Sequence, residues 1–127
     1  MNPKIPSPDK ELTYSSYLKV PELLTLQNPL STPVAHDELL FIVIHQVYEL
    51  WFKLVLFELR SLISCIEQDN LMKSFQITKR ISEIFRVLVQ QLDVLETMTP
   101  TDFNKFRSKL NPASGFQSLQ FRELEIL

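Results

Sequence analysis

Apolar residues recur along this chain at helical spacing, in two long stretches. The first runs from about His36 to Gln68 and is apolar almost all round: Phe41, Ile42, Val43, Ile44, Val47, Leu50, Trp51, Phe52, Leu54, Val55, Leu56 and Phe57 leave few polar positions. The second runs from about Leu71 to Met98 and is amphipathic, with Ile77, Ile81, Ile84, Leu88, Leu92 and Leu95 on one face. Asp69-Asn70 supplies the turn between them, and Asp37 is a possible N-cap for the first. Thr99 can cap a third, short helix over about Thr101–Leu110, with Pro100 as its first residue. Residues 111–115 read as a loop. A fourth helix begins near Phe116 and is still amphipathic at Leu127. Upstream, residues 1–13 read as a flexible arm. Tyr14–Gln27 reads as a short helix broken or restarted at Pro21, and Asn28–Pro33 as a loop.

The pattern predicts an all-α fold: two long antiparallel helices plus shorter ones. Gly115 is the only glycine, which disfavours hairpin turns, and the eight prolines fall outside the two long stretches. A helix of about 32 residues is roughly 48 Å long. A compact domain of this size is only about 36 Å across. The first helix should overhang its own domain, and one neighbour cannot cover all its apolar sides. The expectation is burial against something further: a C-terminal half, another subunit, or both. The ending Glu125-Ile126-Leu127, inside a helical pattern without a cap, points to a truncated chain.

A formal charge of −2, from 13 basic and 15 acidic side chains, gives no basic surplus for nucleic acid and no polybasic block for a membrane surface. The run Leu39–Leu62 carries Glu49, Lys53, Glu58 and Arg60, which argues against a lipid-facing span and for a helix buried on most sides by protein. Residues 1–10 are polar and rich in proline, unlike a signal peptide. Cys65 stands alone, so no intrachain disulfide forms, consistent with a cytoplasmic setting.

His45 is the most informative polar residue, because an imidazole in an apolar run needs a partner. It is either a core histidine bonded to a carbonyl or to Glu49, or a hydrogen-bond acceptor for a ligand N–H. Periodicity places Glu38, His45 and Glu49 on one side, with Phe41 one turn before His45. His45 and Glu49 at i, i+4 are also compatible with a shared metal ion, although a di-iron bundle would need Glu-x-x-His motifs on two helices and none occurs. Arg107 shares a helix face with Phe103 and Leu110. It is either a surface arginine favoured by the helix dipole or a fork for a ligand carboxylate. Tyr14 and Tyr17 face the same way, as packing residues or as an arm that reaches a pocket. Ser114 caps the last helix or turns its hydroxyl toward a ligand.

Taken in order, these segments resemble the N-terminal portion of the tryptophan 2,3-dioxygenase family. The resemblance rests on Tyr14-x-x-Tyr17-Leu18, His36-Asp-Glu-Leu-Leu-Phe41-Ile-Val-Ile-His45-Gln, Glu49-Leu-Trp-Phe-Lys53, Glu58-Leu-Arg60, Leu95-Glu-Thr-Met-Thr-Pro100, Asp102-Phe-Asn-Lys-Phe-Arg107, and the run from Pro112 to Arg122. It implies residues 14–127 of a helical, heme-containing, homotetrameric enzyme that opens the indole ring of L-tryptophan with O2 to N-formylkynurenine. His45 would be the distal histidine that accepts the indole N–H, and Phe41 would pack on indole and heme. Arg107 would hold the substrate carboxylate, Phe103 and Leu110 would wall the pocket, and Ser114 would lie near the heme edge. Tyr14, Tyr17 and Leu18 would complete the pocket of an adjacent subunit. The family's proximal heme histidine lies in its C-terminal half, and neither His36 nor His45 matches it, so no metal ligand is expected here. Val47-Tyr48 and Ile44 depart from the family pattern. The alternatives are a non-catalytic helical oligomerisation fragment, and a related heme enzyme acting on another indole or aromatic amino acid.

Overall fold

A computed structural model describes residues 11–127, and every regular element among them is helical. The chain forms α1 (Tyr14–Leu18), α2 (Val20–Leu23), α3 (Glu38–Glu67), α4 (Leu71–Leu95), α5 (Pro100–Asn104), α6 (Arg107–Leu110), one 3-10 turn (Gly115–Gln117) and α7 (Leu119–Ile126). The expected arm falls largely outside the described residues; its last residue, Thr13, caps α1.

The two long helices stand as expected, and α4 folds back along α3 through the short turn Gln68–Asn70. Asp69 takes a left-handed backbone there, with φ 55°, and the Asn70 side chain accepts the Lys73 N–H. The α4 stripe does the packing: Ile77, Ile81, Ile84 and Leu88 are buried with Val55 of α3, and Tyr48, Trp51, Phe52, Leu59 and Leu62 close around them. The Tyr48 hydroxyl donates to the Leu88 carbonyl at 3.0 Å, and burial raises its pKa. Glu58, itself buried, accepts from Arg80 at 3.0 Å and pins the pair.

The N-terminal helix breaks at Lys19, φ 54°, and a second one starts there with Pro21 in its first turn, as expected, where its missing N–H does no harm. Three local expectations are corrected. Asp37 stands at the start of α3 but its side chain makes no cap bond. α4 ends at Leu95, and its stripe stops being buried after Leu88, with Leu92 exposed. The third helix starts at Pro100 under a Thr99 cap, then splits: at Phe106 the backbone leaves helical geometry, φ −130°, and the ring is wholly buried. The Thr99 hydroxyl and then its N–H hold the Asp102 carboxyl below the usual carboxylate range.

α4 covers one face of α3. Leu39, Val43, Leu50, Phe57, Ile63 and Ile66 remain exposed, so α3 is not buried on most sides within the described residues. By length and composition alone α3 would also suffice to cross a membrane, with mean hydropathy 1.7 over its most apolar window. Of its two buried carboxylates, Glu58 is matched by a protein cation.

Candidate functional site

The site grows from one turn of α3. Phe41 and His45 lie i, i+4 on the same face, with ring centroids 4.2 Å apart at 31°. His45 Nδ1 is 2.7 Å from the Phe41 carbonyl oxygen. A carbonyl can only accept, so Nδ1 carries the hydrogen, and in the neutral ring Nε2 is left as a lone-pair acceptor. His45 is exposed. Its apolar neighbours in sequence are not its neighbours in space, because the ring projects from the side of α3 that α4 leaves open. Desolvation therefore does not decide its chemistry, contrary to the sequence expectation.

The predicted grouping of Glu38, His45 and Glu49 comes apart. Glu38 is 1% exposed and turns to the loop before α3, accepting from the N–H of Leu30 at 2.7 Å, the N–H of Ser31 at 3.0 Å and the Ser31 hydroxyl at 2.5 Å. Burial alone raises its pKa, but these bonds outweigh burial and hold it below the usual carboxylate range. Glu49 turns to α7: it accepts from the Ser118 hydroxyl at 2.7 Å and from Gln120 Nε2 at 2.8 Å. With both oxygens engaged, Glu49 is no ready partner for an ion shared with His45. No metal-holding cluster of three or more His, Cys, Asp or Glu occurs among the described residues.

His45 and Glu49 border three cavities. One of about 360 Å³ is lined by Phe41, Leu110, Ala113, Ser114, Gly115 and Ser118 in addition. A second, of about 340 Å³, adds Tyr48, Phe52, Phe116 and Phe121. A third, of about 400 Å³, is walled by Leu23, Leu26, Gln46, Leu50, Lys53 and Gln120. The first brings together four of the residues singled out from sequence: Phe41, His45, Leu110 and Ser114. Ser114 caps the 3-10 turn, accepting the Phe116 N–H, while Ser118 is the residue that caps α7. An added Cβ on Gly115 would meet nothing within 4 Å, so that stretch of wall is bare backbone.

Phe103 and Arg107 reach this place through aromatic contacts and do not line the cavities. Phe103 stacks on Phe41 at 5.7 Å, and the Arg107 guanidinium carbon lies 6.0 Å from the Phe103 ring centre. Arg107 is exposed and makes no ion pair among the described residues. Tyr14, Tyr17 and Leu18 lie on α1, which packs on α2; they are 76%, 70% and 46% exposed and line none of the three cavities.

Two features escaped the sequence reading. Phe106, 0% exposed, sits edge-on to Phe41 and Phe103, at 5.6 and 5.4 Å, and is the floor of the aromatic group. Its i, i+3 spacing from Phe103 was the available signal. The Glu49–Ser118–Gln120 link spans about 70 residues of sequence, and no local pattern announces such a contact.

Comparison with known proteins sets this geometry in a lineage. A family model described as tryptophan 2,3-dioxygenase matches residues 6–127. The tryptophan 2,3-dioxygenase of Herpetosiphon aurantiacus is 57% identical over 116 residues, covering 91% of this chain and 45% of that protein. That of a Nocardioides species is 55% identical over 121 residues, 92% of this chain and 45% of the relative, and that of Kineococcus radiotolerans is 51% identical over 116 residues, 91% and 41%. The chain thus spans less than half the length of these relatives.

Proposed function

Because the chain belongs to the tryptophan 2,3-dioxygenase family, we propose that it supplies the substrate-facing part of a heme-dependent enzyme that opens the indole ring of L-tryptophan with O2 to give N-formylkynurenine. The observation that carries this reading is the 2.7 Å contact between His45 Nδ1 and the Phe41 carbonyl. With Nδ1–H donated to Phe41, Nε2 is poised to accept a hydrogen bond from an indole N–H. The Phe41 ring lines the same cavity and adds an apolar wall beside the indole. Arg107, always charged and unpaired with any acid among the described residues, suits the substrate carboxylate. Leu110 lines the pocket beside His45, and Phe103 backs it through its stack on Phe41.

The residues present fit one side of a heme. The exposed edge of Phe41 would border the macrocycle, and the open space beside Gly115 next to Ser114 leaves room for its rim. When bound, ferrous heme supplies the O2 chemistry. The chain's own part is to bind the amino acid at both ends, hold the ring plane and present Nε2 to the indole N–H. By the resemblance His45 would face the substrate, and the residue that would hold the iron lies in the family's C-terminal half. Tyr14, Tyr17 and Leu18, exposed on α1, suit an arm that closes a neighbour's pocket in a cytoplasmic homotetramer.

The test is complementation. The chain is mixed with hemin, alone and together with the C-terminal remainder of the Herpetosiphon relative, and titrated with L-tryptophan. A Soret band that shifts with L-tryptophan and, once the heme is reduced with ascorbate, N-formylkynurenine under O2 are expected for the pair. A pair that forms the band but turns over a different indole favours a related activity, and one that binds no heme favours an oligomerisation role.

A further inference from the structure

The pocket wall opposite His45 is a loop, Ala113–Ser118, whose residues other than Ser118 are exposed. Its own hydrogen bonds are local. Ser114 N–H donates to the Gln117 side chain, Phe116 N–H to the Ser114 hydroxyl, and Arg122 Nε to the Phe116 carbonyl. None of these ties the wall to α3. The tie comes from Glu49, one turn beyond His45. Its Oε1 accepts from the Ser118 hydroxyl at 2.7 Å, its Oε2 from Gln120 Nε2 at 2.8 Å, and its backbone carbonyl from the same Nε2 at 2.7 Å. Ser118 Oγ in turn accepts the Phe121 N–H at 3.2 Å and caps α7. The carboxylate charge is thus relayed through a hydroxyl to a helix N-terminus, where negative charge is favoured.

We propose that Glu49 is the positioning residue of this pocket: through Ser118 and Gln120 it fixes the distance of the Ser114–Gly115 wall from His45. The consequence for L-tryptophan rests on the function proposed above; the positioning itself does not. α7 has a separate anchor beyond its first turn, because Leu124 packs on the α3–α4 core and Glu123 accepts from Arg60 of α3 at 3.4 Å. Loss of Glu49 should therefore free the wall and leave the far end of α7 docked.

Glu49→Gln keeps the side-chain shape, removes the charge and turns one acceptor into a donor facing the Gln120 amide. In the 127-residue chain, amide hydrogen exchange at Gly115–Phe121 is expected to quicken roughly tenfold or more, the scale of a lost charge-assisted hydrogen bond. Glu125–Leu127 and the α4 core should stay within about twofold. Glu49→Ala should do the same, and Ser118→Ala should reproduce the Phe121 effect without adding to it in the double variant. Unchanged exchange at 115–121 in Glu49→Gln, or equal loosening of all of α7, overturns the proposal. In the complemented heme enzyme the same variant should raise KM for L-tryptophan several-fold more than it lowers kcat; an unmoved KM overturns the positioning role. A complemented wild type without activity would fail the proposed function, while the exchange result would still decide the role of Glu49.

Discussion

The imidazole of His45 donates Nδ1–H to the carbonyl oxygen of Phe41 one turn earlier, at 2.7 Å, and so the two residues that would border an indole are fixed by a single bond. The chain is therefore expected to show the Nδ1–H tautomer at neutral pH. Long-range nitrogen–proton NMR of the ring reads this directly, and a dominant Nε2–H form would contradict the assigned acceptor.

His45→Ala separates positioning from folding. The side chain is exposed, so the change in unfolding free energy is expected to stay within about 0.5 kcal/mol by denaturant titration. In the complemented enzyme L-tryptophan affinity should fall about tenfold, the scale of one hydrogen bond in a pocket. Unaltered affinity would remove His45 from the site.

Arg107→Ala should abolish discrimination between tryptophan and tryptamine, which differ in the carboxylate. Competitive titration of the two in the complemented enzyme checks it. A preserved preference for tryptophan would show that another group holds the carboxylate.

Phe106→Ala removes a wholly buried ring beneath Phe41 and Phe103. It is expected to destabilise the chain by about 3 kcal/mol, read from the shift in urea midpoint. A loss below about 1 kcal/mol would mean that the aromatic group is not a packed unit.

Glu38 sets an acid limit. Its folded pKa lies below the unfolded one, so its contribution is fully present above the ordinary glutamate pKa of about 4.3 and is lost as pH falls through the folded value. Urea midpoints taken from about pH 6 to about pH 3 should drop in the acid range, and Glu38→Gln should flatten that drop. At neutral pH the same variant should cost about 1–3 kcal/mol, as a buried acceptor loses its charge. A variant with the wild-type acid profile would remove Glu38 as its cause.

Much of this was legible from spacing. The 3.6-residue period located α3 and α4, and the apolar excess on α3 signalled that one neighbour could not cover it; Leu50 and Phe57 are exposed as that count requires. Thr99-Pro100 marked a helix start because capping chemistry is local. Periodicity could not tell which side of α3 faces α4. That is why His45 looked enclosed from its neighbours in sequence, and why Glu38 and Glu49 looked like its companions. The break at Phe106 was hidden for a related reason: a ring that gains a fully buried place outweighs helix continuation, and that place is made by Phe41, distant in sequence.

The row Arg107, Phe103, Phe41, His45 has a consequence for how this protein can change. A cation and an imidazole are held apart by two stacked benzene rings, so the span between them behaves like a spacer of set length. Trimming or enlarging either middle ring would alter both ends together, and a shift in the size of molecule accepted could arise without touching the groups that grip it.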